Sequence, residues 1–187
     1  MTSLSVKERI IETASDLFYN QGYKHTGINQ VIAEANVAKA SLYKYFKSKE
    51  DIAITYLKNT HEDWMRNLNT FIKDKQTPYA RLLAAFDYLQ EWLDEVNYVG
   101  CSFQNIVTNL PKSEKRIYDL VLFHKNEVKN WITNNLKETN KYNEIELNKL
   151  SNEFMVLMEG AIISSQIQKN SVPVESAKRI AEPLILY

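Results

Sequence analysis

From Val6 the apolar residues Val6, Ile10, Ala14 and Leu17 step by four, four and three, with Ile11 and Phe18 beside them, which predicts an amphipathic helix. Gly22 suits the position just past its end. Thr26 stands where it can cap a second, short helix whose inner face is Ile28, Val31, Ile32 and Ala35. Asn36, a residue type that tolerates left-handed backbone, marks a turn of about three residues, and a third short helix then buries Leu42 and Phe46. "SKED" reads as a capping box, with Ser48 accepting from the Asp51 amide and the Asp51 carboxylate returning the bond. A long helix starts there, carrying the stripe Ile54, Leu57, His61, Trp64, Leu68 and Phe71 to about Lys73. Pro78 opens another helix, with Leu82, Phe86, Leu89, Leu93 and Val96 on one face. "NYVGCSFQN" interrupts the pattern around Gly100 and begins a shorter helix that ends before Pro111. Ile117, Val121, His124, Val128 and Trp131 define a helix running to about Thr139. Residues 144–168 are almost apolar all round between Phe154 and Ile163, and Pro173 opens the last helix. With no strand pattern and no repeat, the chain reads as all-α with about nine helices.

Composition agrees with this pattern. The 187 residues are 44% apolar, enough for a sizeable core, and four Gly and four Pro are too few for the many turns of a sandwich or barrel. A single cysteine, Cys101, excludes an internal disulfide framework. The N-terminus "MTSLSVKERIIETASDLF" mixes charge with apolar residues at helical spacing, unlike a signal peptide, and no stretch approaches the roughly 18 apolar residues of a membrane helix. A cytoplasmic protein with no membrane association is expected.

Charge changes the picture only through its distribution. Lys+Arg and Asp+Glu both total 23, yet residues 1–49 hold seven basic side chains against four acidic ones. Lys39, Lys44, Lys47 and Lys49 follow one another with no acid between, interleaved with Tyr43, Tyr45 and Phe46. Two short helices joined by a tight turn and preceded by a supporting helix form a helix-turn-helix arrangement, whose second helix can lie in the DNA major groove. Here that helix is 38–46. Burial of Leu42 and Phe46 leaves Lys39, Ala40, Ser41, Tyr43, Lys44 and Tyr45 facing outward. Lysine supplies charge for phosphate or guanine, and tyrosine and serine hydroxyls can bond phosphate oxygens.

The segment "TGINQVIAEANVAKASLYKYFKSKEDI" (26–52) resembles the DNA-binding segment of the tetracycline-repressor (TetR) family of bacterial transcription regulators. The likeness is carried by Ala33, Ala35, Val37, Leu42, Tyr43, Phe46 and Lys49 together with the upstream "ASDLFYNQGYKHT", over residues 6–57. Asn36 stands where the family commonly has glycine, Ala38 where it has a capping serine or threonine, and Ala40 where it often has glycine. The resemblance implies a DNA-binding domain over 1–48 and a divergent, all-helical ligand-binding and dimerisation domain over 49–187. Carried over position by position, it makes Thr26, Ser41, Tyr43, Tyr45 and Lys49 phosphate contacts and Lys39, Ala40 and Lys44 base readers. It further implies a homodimer on a double-stranded DNA operator, joined through the last two helices, and a small-molecule effector.

In the larger domain Trp64, Phe86, Trp92, Phe103, Phe123, Trp131, Met155 and Met158 are candidates to line an effector cavity or to be plain core. His61 and His124 lie on apolar stripes, either as hydrogen-bonded core histidines or as ligand contacts. Glu159, the only charge in "FMVLMEGAII", belongs either to a dimer rim or to the site of a cationic ligand. Cys101, at a helix start, is either an inert buried thiol or a sensor. Gly160, Ala161, Ser164 and Ser165 allow close helix approach, in a dimer or inside one chain. No metal-ligand spacing is present, and no cofactor is expected. The leading expectation is a ligand-responsive regulator, a repressor released from a palindromic operator by a mostly apolar or aromatic effector. The alternatives are a constitutive DNA-binding or protein-interaction factor and, less in keeping with the missing catalytic motifs, an all-helical enzyme.

Overall fold

The computed structural model describes residues 4–108, 110–111 and 113–186, so the first three residues of the N-terminal stretch read above lie outside it. The helices are α1 (Val6–Leu17), α2 (Ile28–Glu34), α3 (Lys39–Tyr45), α4 (Lys49–Ile72), α5 (Pro78–Glu95), α6 (Ser102–Val107), α7 (Lys115–Glu138), α8 (Glu144–Gln168) and α9 (Val172–Leu186), with no strand among the described residues. The all-α expectation holds. Two compact units divide the chain: residues to 62 with 101–123, and 63–100 with 124 onward. Both α4 and α7 contribute residues to each unit.

In the first unit Ser5 caps α1. Its hydroxyl accepts from the Glu8 amide (3.3 Å) and the Glu8 carboxylate accepts from the Ser5 amide (2.8 Å), satisfying two donors that the helix leaves unpaired. Ile10, Ala14 and Leu17 form the buried face, and a one-turn π-helix, Phe18–Gly22, extends the helix before Gly22 (φ 92°) turns the chain. In α2, Val31 and the following Ala35 are buried, whereas Ile28 and Ile32 are half-buried at the edge of the predicted face. Asn36 has φ 49°, as its side chain permits, and Leu42 and Phe46 are buried as the spacing requires. Phe18 packs against Tyr23 and Tyr56 (ring centroids 5.3 and 6.1 Å), which joins the π turn to α4.

Two local expectations need correction. Gly27, not Thr26, is the N-cap of α2 and provides no side-chain bond. Thr26 turns inward instead, its hydroxyl donating to the carbonyls of Gly22 (3.0 Å) and Leu17 (3.3 Å). At α4 the Ser48 hydroxyl accepts from the Asp51 amide (3.1 Å), and the Asp51 carboxylate, held by the Arg116 guanidinium at 2.9 Å, also meets the Ser48 side chain and the backbone of Lys47 in place of the Ser48 amide. The buried face of early α4 is also rotated from Ile54 onto Ile52, Ala53, Tyr56 and Leu57, where Phe18 covers it.

The second unit is built on α5, α8 and α9, each packed on the other two. Thr77 caps α5 by accepting from the Ala80 amide (3.1 Å), with Pro78 in its first turn, and Leu82, Phe86, Leu89 and Leu93 are buried. Asn143 and Glu146 form a reciprocal capping box at the start of α8. Phe154, Met158, Ala161, Ile162 and Ser165 turn into the unit, while Val156, Ile163 and Ile167 face solvent, which accounts for a helix apolar on nearly every side. The small residues divide likewise: Ala161 and Ser165 are buried and Gly160 is exposed. On α9, Val172 and Ile180 are exposed next to that face, and a shallow groove passes Leu157, Gly160, Ser164 and Ser176. No helix among the described residues is long and apolar enough to cross a membrane.

Candidate nucleic-acid interface

The sequence of α3 can place only one side inward. Leu42 is fully buried and Phe46 is 4% exposed, so the rest of this seven-residue helix is presented outward. Lys39, Ala40, Tyr43, Lys44 and Tyr45 are exposed and Ser41 is half-buried, so six of the expected contact residues share one surface. Tyr43 and Tyr45 are each more than two-fifths exposed, which leaves large aromatic rings in water with no core to fill. The Lys44 ammonium lies 5.9 Å from the Tyr45 ring centroid, a cation–π contact that orients it over the helix surface. None of Lys39, Lys44 and Lys47 has a salt-bridge partner among the described residues. The surface is electropositive, aromatic and free of acid.

Thr26 and Lys49 do not join this surface as expected. Thr26 is 1% exposed and its hydroxyl is committed to backbone carbonyls. The Lys49 ammonium donates to the carbonyls of Tyr23 (2.9 Å) and Thr26 (3.1 Å) and lies 4.2 Å from the Tyr23 ring centroid. Desolvation lowers its pKa, and the nearby Glu114 carboxylate acts in the opposite direction. Sequence reasoning left out Lys24 and His25, exposed in the turn before α2, and Lys47, exposed after α3. Lys47 belongs to the same acid-free run, and Lys24 to the same N-terminal basic excess; that excess was their only signal.

The first turn of α7 adjoins these residues. Arg116 bridges Glu50 and Asp51, both at 2.9 Å, and its hydrogen bond holds the Asp51 carboxyl below the usual carboxylate range. Burial pushes the Tyr56 phenol up to about 12, and burial followed by the charge of Glu114 raises that of Tyr23. These phenols stay neutral at physiological pH and serve as packing groups.

The expected effector residues fall into both units. In the first, His61 is half-buried with its ring edge toward Phe123 (5.1 Å), which is itself 48% exposed, and Phe103 is buried. In the second, His124 is buried edge-on to Trp64 (5.6 Å), Trp64 meets Tyr88 (5.5 Å), and Phe86 packs against Phe154 (6.0 Å). Met158 is buried, and Trp131 and Met155 are half-buried. Glu159 is neither isolated nor deeply buried, because Lys125 approaches it at 2.8 Å and neutralises it within the unit. Cys101 is buried as the N-cap residue of α6.

Comparison with known proteins accounts for the surface of α3. Residues 10–55 match the family described as bacterial regulatory proteins, tetR family. The chain is 29% identical, over 57% of its length, to an uncharacterized HTH-type transcriptional regulator in the lacX 3′ region of Lactococcus lactis subsp. lactis, and the match spans 55% of that relative. It is 23% identical to the HTH-type transcriptional repressor DhaR of Mycobacterium sp. (strain GP1), over 94% of this chain and 89% of the relative. Its fold aligns with that of a TetR-family transcriptional regulator from Streptomyces coelicolor with a TM-score of 0.87 and 20% identity, covering 96% of this chain and 94% of the other. An α3 that buries Leu42 and exposes its cations and tyrosines, inside residues 10–55 that match this family, gives the chain a helix-turn-helix segment of the tetR-family kind.

Proposed function

We propose that this regulator is a repressor that binds a palindromic operator as a homodimer and is released by a mostly apolar or aromatic small molecule. The observation that carries the DNA half of this reading is the outward face of α3, where Lys39, Ala40 and Lys44 are available to base edges and Ser41, Tyr43 and Tyr45 to phosphates. Lys24 and Lys47 extend the phosphate-facing edge. Functionally the division falls at residue 48, with operator binding before it and effector binding and dimerisation after it. The exposed apolar residues Val156, Ile163 and Ile167 of α8, with Val172 and Ile180 of α9, support a four-helix contact between two copies. Within the second unit Trp64, Phe86 and Trp131, with His124, Met155 and Met158, supply apolar chemistry for the effector.

Release needs one element that both ligands bias. The 24 residues of α4 extend about 36 Å at 1.5 Å per residue, from Lys49 beside the helix-turn-helix to the aromatic residues around Trp64 and Phe71. A tilt of α4 would change the spacing of two reading helices in a dimer and misplace one half-site. Linkage supplies the test. A compound found by thermal-shift screening is titrated against the free protein and against protein saturated with a selected duplex. The expected result is that the duplex weakens compound binding by the same factor by which the compound weakens duplex binding. Equal affinity in both titrations would contradict effector-driven release.

A further inference from the structure

Helix dipoles and phosphates make opposite demands on the start of α4. Acidic residues in a first turn favour the helix, and Glu50 and Asp51 supply two of them. The same carboxylates follow directly on the acid-free run from Lys39 to Lys49. Asp51 lies against the end of that run, since its carboxylate meets the Ser48 side chain and the backbone of Lys47, whose own side chain is exposed. Unopposed charges so placed would repel a phosphate backbone laid along α3, over a range of about 10 Å at 0.1 M salt.

Arg116, in the first turn of α7, meets that charge. Its Nη1 atom donates to Glu50 Oε2 and to Asp51 Oδ1, each at 2.9 Å, so one guanidinium spans both carboxylates. No other ion pair among the described residues includes Glu50 or Asp51. The neighbouring cations are engaged elsewhere: Lys115 pairs with Asp119, and Lys49 donates to the Tyr23 and Thr26 carbonyls, with the Glu114 carboxylate acting on it. All of these residues belong to the unit that holds the helix-turn-helix, which takes in the start of α7 from more than sixty positions along the chain.

We infer that Arg116 serves DNA binding through Glu50 and Asp51, as the cation that offsets their charge beside the phosphate-facing lysines. The inference rests on the DNA-binding reading above and goes beyond it, because it brings into operator binding a residue from far outside the helix-turn-helix segment.

The probe is a duplex selected by the wild-type protein from a randomised pool, with affinity read by fluorescence anisotropy over a range of salt. Arg116→Gln leaves two unopposed carboxylates beside the duplex on each chain. Its affinity should fall about five- to tenfold at about 0.1 M salt, and the loss should shrink as added salt screens the repulsion. Adding Glu50→Gln and Asp51→Asn removes both charges while leaving the bridge broken, and should return affinity to at least the wild-type value. A triple variant as weak as Arg116→Gln would overturn the inference, because a loss caused by the bridge's geometry, or by a phosphate contact of Arg116 itself, would survive removal of the acids. Glu50→Gln with Asp51→Asn, made with Arg116 in place, covers the case in which Arg116→Gln does not fold. Its affinity should rise above wild type, and an unchanged or lower affinity would overturn the inference. Failure of the wild type to select any duplex would sink the DNA-binding reading itself, whereas selection by the wild type without rescue in the triple variant would sink the inference alone.

Discussion

Lys44 and Gly100 show what single residues decide in this protein. Lys44 is exposed in the last turn of α3 with its ammonium near the Tyr45 ring, so Lys44→Ala removes the proposed base reader without opening the core. Among operator variants the change should alter rank order, with a loss of about 1–3 kcal/mol at the position it reads and an unshifted melting curve. A uniform loss on every sequence, measured by fluorescence anisotropy, would make Lys44 a phosphate contact. Gly100 has φ 90°, and a Cβ there would come within 2.6 Å of the Gln166 Oε1 atom, while the Gln166 amide donates to the Val99 carbonyl at 2.7 Å. Gly100→Ala should therefore cost roughly 1–3 kcal/mol in urea unfolding, combining backbone strain with a displaced glutamine. Adding Gln166→Ala should recover only the steric part. The outward set of α3 was legible in the sequence because Leu42 and Phe46 settle which side is buried. The hydrogen-bond partners of Thr26 and Lys49 were not, because residue type alone does not tell which distant carbonyl a hydroxyl or an ammonium reaches.

Among the elements, the helix starts were legible and the ties between helices were not. Pro78 opening α5 and the Ser48 cap of α4 depend on residues within one turn, so local pattern suffices. The bridge from Arg116 to Glu50 and Asp51 joins residues more than sixty positions apart, beyond the reach of local pattern. It also carries a pH signature. Because Arg116 holds the folded-state pKa of Asp51 below its unfolded value, the bridge contributes stability above the ordinary aspartate pKa of about 3.9 and loses it as pH falls through the folded value. Arg116→Ala should then be less stable than wild type at neutral pH, with the difference shrinking below about pH 4. Thermal unfolding across that range checks this, and a difference independent of pH would show that Asp51 does not depend on Arg116. The π-helical turn between α1 and Gly22 had no signal in the apolar spacing, which continues through Phe18 unchanged.

For the molecule as a whole, the nearly all-apolar α8 was legible as a helix but not in its sidedness. The structure turns Phe154, Met158 and Ala161 inward and leaves Val156 and Ile167 more than two-thirds exposed. An apolar stripe of that kind in water favours a partner helix. Ile167→Glu should shift sedimentation of the protein from dimer toward monomer and, by removing the second half-site, reduce operator affinity far more than it reduces thermal stability. An unchanged dimer would place the contact elsewhere. The proposed dimer and the outward face of α3 meet in one requirement, that two reading helices engage one duplex together. Selection of duplexes by the wild-type protein from a randomised pool, followed by sequencing, tests this most directly. The account predicts enriched inverted repeats whose half-site centres lie about 34–36 Å apart along the helix axis or slightly more. A pool with no enriched motif, or with a single unpaired half-site, would contradict it.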